Sequence, residues 1–201
     1  MQDAPGSRLR VLQENLASIS GRLDSALRLL SVISALTHVQ TQAQELGQAA
    51  EQMLSILVQG LDNILNCSIM LYEPQNDHLR MLAVQGQAEF FGETVSSGNQ
   101  HLTFQPGEGI AGQAFAEGQP IFWRAQLPEQ SDVKVFADSD IPAAIACLPL
   151  NSKAGCLGVL NLSFTVPLDF TFAEKRNAVL LGQVVANVID ALILKNQLAA
   201  K

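Results

Sequence analysis

The side chains able to do chemistry are few in this sequence. Its three cysteines are Cys67, Cys147 and Cys156, and its three histidines are His38, His78 and His101. No C-x-x-C, H-E-x-x-H, G-x-S-x-G or Walker-type loop occurs. The thiols sit inside apolar runs, where burial raises a thiol's pKa and leaves it inert. An odd number of widely spaced cysteines also argues against a disulfide scaffold and for a reducing cytoplasm. His38 falls on a helical pattern and His78 in a hairpin turn. His101 is the one candidate axial ligand for a haem or nonhaem metal, and no converging partners accompany it. With neither a nucleophile–base pair nor a metal constellation, the chain reads as a non-enzyme.

Binding chemistry is better represented. In Pro106-Gly107-Glu108-Gly109-Ile110-Ala111-Gly112, two glycines flank Glu108 in a turn where positive φ is often needed, and a short helix follows. Gly112 is expected to let that helix lie close to a sheet. A helix start presents unpaired N–H groups that can hold an anion. Cations to assist it are scarce. Residues 61–170 carry 4 basic side chains (Arg80, Arg124, Lys134, Lys153) against 12 acidic ones. That excess, within a chain of net charge −7, repels phosphate backbones and excludes direct nucleic-acid binding.

The elements that must position these residues are legible in the hydrophobic period. Leu9, Leu12, Leu16, Ile19, Leu23, Ala26, Leu30 and Ile33 follow each other at alternating spacings of 3 and 4. This is an a/d seam, the pattern of supercoiled partner helices. Leu27 and Leu29 widen it toward a bundle. The seam fails at Thr37 and Gln40, which predicts a joint near Leu36–Thr41 and a new helix over about 41–65. Strand patterns follow at CSIMLYEP and HLRMLAVQG around a Q-N-D turn. Residues 86–100 read as a loop, 101–104 as a short strand, 110–116 as a helix and 119–123 as a strand. A long loop spans 125–142, and loops of that length inside a compact domain are usually functional. Strands at 143–150 and 155–164 are joined by N-S-K-A-G. A closing helix runs from about 171 to 201, capped by Asp169 or Thr171, with Glu174 in its first turn. Composition, 48% hydrophobic and 15% charged, supports a real core. No apolar run reaches the length of a membrane span, and the start MQDAPGSRLR lacks the apolar core of a signal peptide.

The order of these pieces resembles the GAF domain family of small-molecule sensors. The resemblance is carried by PGEGIAGQAFAEGQPI (106–121), AAIACLPLNSKAGCLGVLNLSF (143–164), FTFAEKRNAVLLGQVVANVIDAL (170–192) and the opening LLSVISALTHVQ, and covers about residues 34–192. It implies an α+β fold: a central antiparallel sheet of five or six strands with helices on its faces, here preceded by a coiled-coil helix. The ligand would lie between the sheet and segments 106–116 and 124–142. Carried over, the ligand-binding candidates are Tyr72, Phe115, Trp123, Arg124, Lys134, Phe136, Asp138, Asp140 and Cys147.

The family's ligand classes fit unequally. Asp140-Ile141-Pro142 resembles a motif of the bilin-binding branch, but no Cys-His pair follows it. The free-methionine-sulfoxide reductase branch uses several cysteines around its pocket, whereas these thiols are embedded in strands. The cyclic-nucleotide pattern of Asn-Lys, Phe and Asp-Glu is only echoed by Asn151, Lys153, Phe172 and Glu174. A small anion or small organic acid could be held by one Arg and helix-start amides, with Trp123 and Phe136 closing the site. Asn161 and Ser163 are expected to face outward from their strand. The cofactor, if any, is left open. The resulting expectation is a cytoplasmic regulatory sensor of a bacterial signalling, two-component or transcription-control protein. Residues 1–33 would form a dimerisation helix, 34–192 the sensor domain and 193–201 an extension toward an output domain. The partners would be a second copy, through the N- and C-terminal helices, and a small organic acid, anion or nucleotide. The alternative is a ligand-free dimerisation module.

Overall fold

The computed structural model describes residues 5–43, 45–86, 103–124 and 142–199. Its elements are α1 (Pro5–Gln42), α2 (Leu46–Gly60), β1 (Ile64–Glu73), β2 (His78–Gly86), β3 (Thr103–Phe104), α3 (Gly109–Glu117), β4 (Ile121–Arg124), β5 (Ala144–Ser152), β6 (Gly155–Phe164) and α4 (Phe172–Ala199). The six strands form one sheet in the order β3-β2-β1-β6-β5-β4, antiparallel throughout. It is an α+β fold with an antiparallel sheet and helices on its faces. Helices α1, α2 and α4 cover one face with Leu36, Met53, Leu54, Leu57, Val185 and Ile189 against Cys67, Ile69, Leu148 and Leu160. Helix α3 lies on the other face, over Met70, Met81, Cys147 and Val159.

The first helix differs from its expected form. It runs unbroken through Thr37 and Gln40 and ends later than expected, at Gln42, with α2 beginning at Leu46. The reason is angular. At about 100° per residue, Leu29, Val32, Leu36, Val39 and Ala43 form a stripe buried against the domain. The heptad seam turns away from it toward the N-terminus, and although Ile33 at its end packs partly on the core, Leu12, Leu16, Ile19, Leu23, Leu27 and Leu30 are exposed. Thr37 and Gln40 thus end one apolar stripe while the other continues, so the helix has no cause to break. The coiled coil itself requires a second chain.

Other boundaries moved for local reasons. α2 stops at Gly60, and Asn63, with φ 61°, turns the chain into β1. β1 therefore begins at Ile64, before the expected Cys67. Gly112 does not serve the sheet. A Cβ there would stand 2.2 Å from the Gln105 carbonyl and 3.1 Å from Gly107 N, so its smallness lets the preceding turn fold onto α3. Gly107 and Gly109 have the positive φ expected of them, 87° and 60°. Thr171, not Asp169, caps α4. Its Oγ1 accepts from Glu174 N (3.3 Å), and Glu174 Oε2 accepts from Thr171 N (2.7 Å), which is a capping box. Helix α4 is long and apolar enough, by length and composition alone, to cross a bilayer. Its face from Leu181 to Leu192 is buried on the sheet, which accounts for that apolarity.

Candidate functional site

The α3 face of the sheet is furnished unlike the helical face. β1 alternates, so Cys67, Ile69 and Leu71 meet the helices, while Asn66, Ser68, Met70 and Tyr72 point the other way. Residues directly opposite across an antiparallel pair share a face. Asn66 lies opposite Ser163 and Ser68 opposite Asn161. Ile145 and Cys147 continue these two rows on β5, and Trp123 and Ile121 end them on β4. One row therefore reads Trp123, Ile145, Ser163, Asn66, and the next Ile121, Cys147, Asn161, Ser68.

Asn66, Ser68, Asn161 and Ser163 are the buried polar side chains of the described residues, exposed by only 4, 2, 8 and 3%. Asn161 Nδ2 donates to Ser68 Oγ at 3.3 Å. The expectation that Asn161 and Ser163 face outward is thereby corrected. Leu160, Leu162 and Phe164 take the helical face, so strand alternation turns Asn161 and Ser163 toward α3. A strand beginning at Cys67 leaves Asn66 out and makes Ser68 an isolated polar residue, so neither stands out in the sequence alone. The signal available was the i, i+2 spacing of Asn66 and Ser68 in an otherwise apolar run.

Of the expected ligand-binding residues, the fold brings four to this face. Trp123 and Cys147 stand in the two rows. Tyr72 and Phe115 stack beneath α3 with ring centroids 4.6 Å apart, and the Tyr72 hydroxyl donates to Asp77 Oδ1 at 2.7 Å. That hydrogen bond and some desolvation hold the Tyr72 phenol above its ordinary pKa. Arg124 is not brought with them. β4 alternation directs it to the opposite face, beside Phe122, where its guanidinium pairs with Asp169. Lys134, Phe136, Asp138 and Asp140 lie outside the described residues, as does His101.

The charge and thiol chemistry of the face is muted. Burial pushes the Cys147 thiol well up and the Cys67 thiol up to about 12; Cys156 is raised too, for the same reason. Arg80 pairs with Glu73 on the far side of β2, which with the Asn76 amide holds the Glu73 carboxyl below its ordinary range. At the start of α3, Glu108 occupies the N-cap position and its Oε2 accepts from Gln105 N at 3.0 Å. A carboxylate thus stands where helix-start amides were expected to receive an anion. Among the described residues, no three His, Cys, Asp or Glu side chains gather to hold a metal ion.

A hydrogen-bonded route leaves this face. Asn151 Nδ2, in the β5–β6 hairpin, donates to the Gly118 carbonyl at the end of α3 (3.2 Å). Gln183 Nε2 on α4 donates to the Asn151 carbonyl (3.2 Å) and to Asn187 Oδ1 (3.1 Å). α3 and α4 are thereby joined around the sheet through one hairpin.

Solved structures share this architecture. A GAF domain of a phosphoenolpyruvate-protein phosphotransferase from Coxiella burnetii superposes with a TM-score of 0.69 at 21% identity, over 86% of this chain and 98% of that one. The corresponding Acinetobacter domain gives 0.65 at 18%, over 80% and 92%. A free methionine-R-sulfoxide reductase from Neisseria meningitidis, solved with its substrate, gives 0.67 at 17%, over 86% and 93%. No curated protein matches the chain. The family model for the GAF domain matches residues 43–190, most of the sequence and every strand of the sheet, and the chain belongs to the GAF domain family.

Proposed function

We propose that this GAF domain is a regulatory sensor which binds a small molecule on the α3 face of its sheet. Binding would be passed through α1 and α4 of a homodimer to an output domain, in a signalling or transcription-control protein. The observation that carries the reading is the division of the sheet. One face holds a buried polar and aromatic floor, and the other holds the two long helices that overrun the domain. The contacting residues would be Tyr72, Phe115, Trp123 and Cys147 with Asn66, Ser68, Asn161 and Ser163. Lys134, Phe136, Asp138 and Asp140 are assigned to the segment that would complete the site. The route from Gly118 through Asn151 and Gln183 to Asn187 supports communication between α3 and α4. Transmission needs two states shared by ligand and output, and the two helices are the elements common to both.

Thermal unfolding of the full chain against nucleotides, small acids, amides and anions tests the reading. A ligand at 100 times its Kd adds about 2.7 kcal/mol to stability. Absence of any shift, in a protein that is dimeric, favours the second reading, a ligand-free dimerisation module. The exposed seam of α1 supports that alternative, since it needs no ligand to associate.

A further inference from the structure

We propose that the ligand of this site is an uncharged small molecule bearing an amide-like pair of hydrogen-bond donor and acceptor; the inference rests on the small-molecule reading above. Four buried side chains, Asn66, Ser68, Asn161 and Ser163, meet on adjacent rungs of β1 and β6. Two are carboxamides and two are hydroxyls, so each can both donate and accept. The positions around them are apolar: Ile145, Val84 and Ile121, with the neutral thiol of Cys147. No buried side-chain N or O atom among the described residues lacks a hydrogen-bond partner, so the quartet is tolerated where it stands, but aliphatic side chains would serve the sheet alone at least as well. What the quartet supplies is a neutral donor–acceptor surface at the middle of the face.

The charges around the quartet argue the same way. A buried anion needs a partner cation to offset its desolvation. Among the described residues, Arg124 and Arg80 are directed to the other side of the sheet and are paired with Asp169 and Glu73; Lys134, outside the described residues, has the carboxylates of Asp132, Asp138 and Asp140 within 6 positions of it in the sequence. Glu108 brings a carboxylate to the start of α3. A neutral carboxamide or lactam meets none of these obstacles. Trp123, at the end of the Ser163 row, offers a flat face to a planar ring.

Matched pairs of probes isolate the charge. Calorimetric titration of the full chain with nicotinamide against nicotinate, and with orotamide against orotate, should show the uncharged member binding at least about tenfold more tightly, the discrimination expected of one well-placed hydrogen bond and an avoided unpaired charge. Asn161→Leu should lower that affinity at least about tenfold; Ser163→Ala, a smaller change, provides the same test should Asn161→Leu unfold the protein. The small molecules released from the natively purified chain on denaturation, identified by mass spectrometry, provide a readout independent of the probes. Release of a neutral amide or lactam supports the proposal. An anion that binds or is released in preference, or affinity unchanged in Ser163→Ala and a folded Asn161→Leu, overturns it while leaving the sensor reading intact. No binding by any probe and no released molecule overturns both.

Discussion

The seam on α1 makes a quantitative prediction about self-association. Leu12, Leu16, Ile19, Leu23, Leu27 and Leu30 are 55–65% exposed on the isolated chain. Complete burial of such a side chain contributes about 1.5–3 kcal/mol, so covering the remaining three-fifths contributes about 1–2 kcal/mol each. Six residues on two copies give about 12–24 kcal/mol gross, against an association cost of about 4–15 kcal/mol. The mid-range values leave about 8 kcal/mol, enough for a stable pairing. Replacing Leu16 and Leu23 by Ala alters four side chains per dimer and should remove about 3–6 kcal/mol, or about two to four decades in Kd. Helix propensity does not interfere, since Ala is the best helix former. Sedimentation over a micromolar dilution series reads the effect directly. Leu36→Ala is the control: Leu36 is fully buried on the other stripe, so this change should cost about 2–5 kcal/mol of folding stability and leave Kd unchanged. A Leu16→Ala/Leu23→Ala variant with the parent's Kd refutes the assignment of the seam.

The remaining predictions concern the domain itself. Thr171→Ala removes the capping box of α4 and should lower unfolding free energy by about 1 kcal/mol in urea, with Thr171→Ser retaining most of it. Cys67, pushed up to about 12 from 9.0 by burial, contributes stability that is complete below about pH 9 and declines as pH rises toward 12; Cys67→Ala should flatten that alkaline decline in the urea midpoint. A Cβ on Gly60 would stand 2.2 Å from Val32 Cγ2, so Gly60→Ala should destabilise by about 1–3 kcal/mol. Adding Val32→Ala should cost less than the two changes summed, and strict additivity would show that α1 is not seated there. Arg124→Ala breaks an exposed pair and should change stability by less than about 1 kcal/mol, with the affinity for any confirmed ligand unaltered.

Much of this fold was legible because period reports burial. The alternation of H-L-R-M-L-A-V located β2 to the residue, and the glycines of G-E-G-I-A-G announced a turn whose positive φ values the structure shows. The errors arose where one residue answered to two constraints. Thr37 and Gln40 are polar on the open stripe of α1 while Leu36 and Val39 carry the helix onward, and a single-stripe reading placed a break there. Segment 124–142 carries Arg124 into the expected site, but a strand sends neighbours to opposite faces, and Trp123 takes the α3 face. Asn161 and Ser163 were read outward because polar residues on strands usually meet water. Both faces of this sheet are covered, so polarity alone could not distinguish solvent from a buried floor; only the register with Ser68 and Asn66 does so.

The two stripes of α1 also constrain how a signal could travel. Residues 27–33 serve both stripes, with Leu29 and Val32 held on the domain and Leu27 and Leu30 open. A rigid helix cannot tilt on its domain without moving the seam it presents to a partner. Its seat is narrow: Val32 fits where Gly60 lacks a Cβ, and Arg28 Nη1 pairs with Asp62 Oδ2 at 3.1 Å. Both contacts fall at the junction of α2 and β1, and β1 carries Asn66 and Ser68 only a few residues onward. α4 is reached from the same floor by the other side, through the Asn151 hairpin to Gln183 and Asn187. The α3 face is thus linked by packing to each long helix, and the two links meet within one chain, where α1 packs on α4.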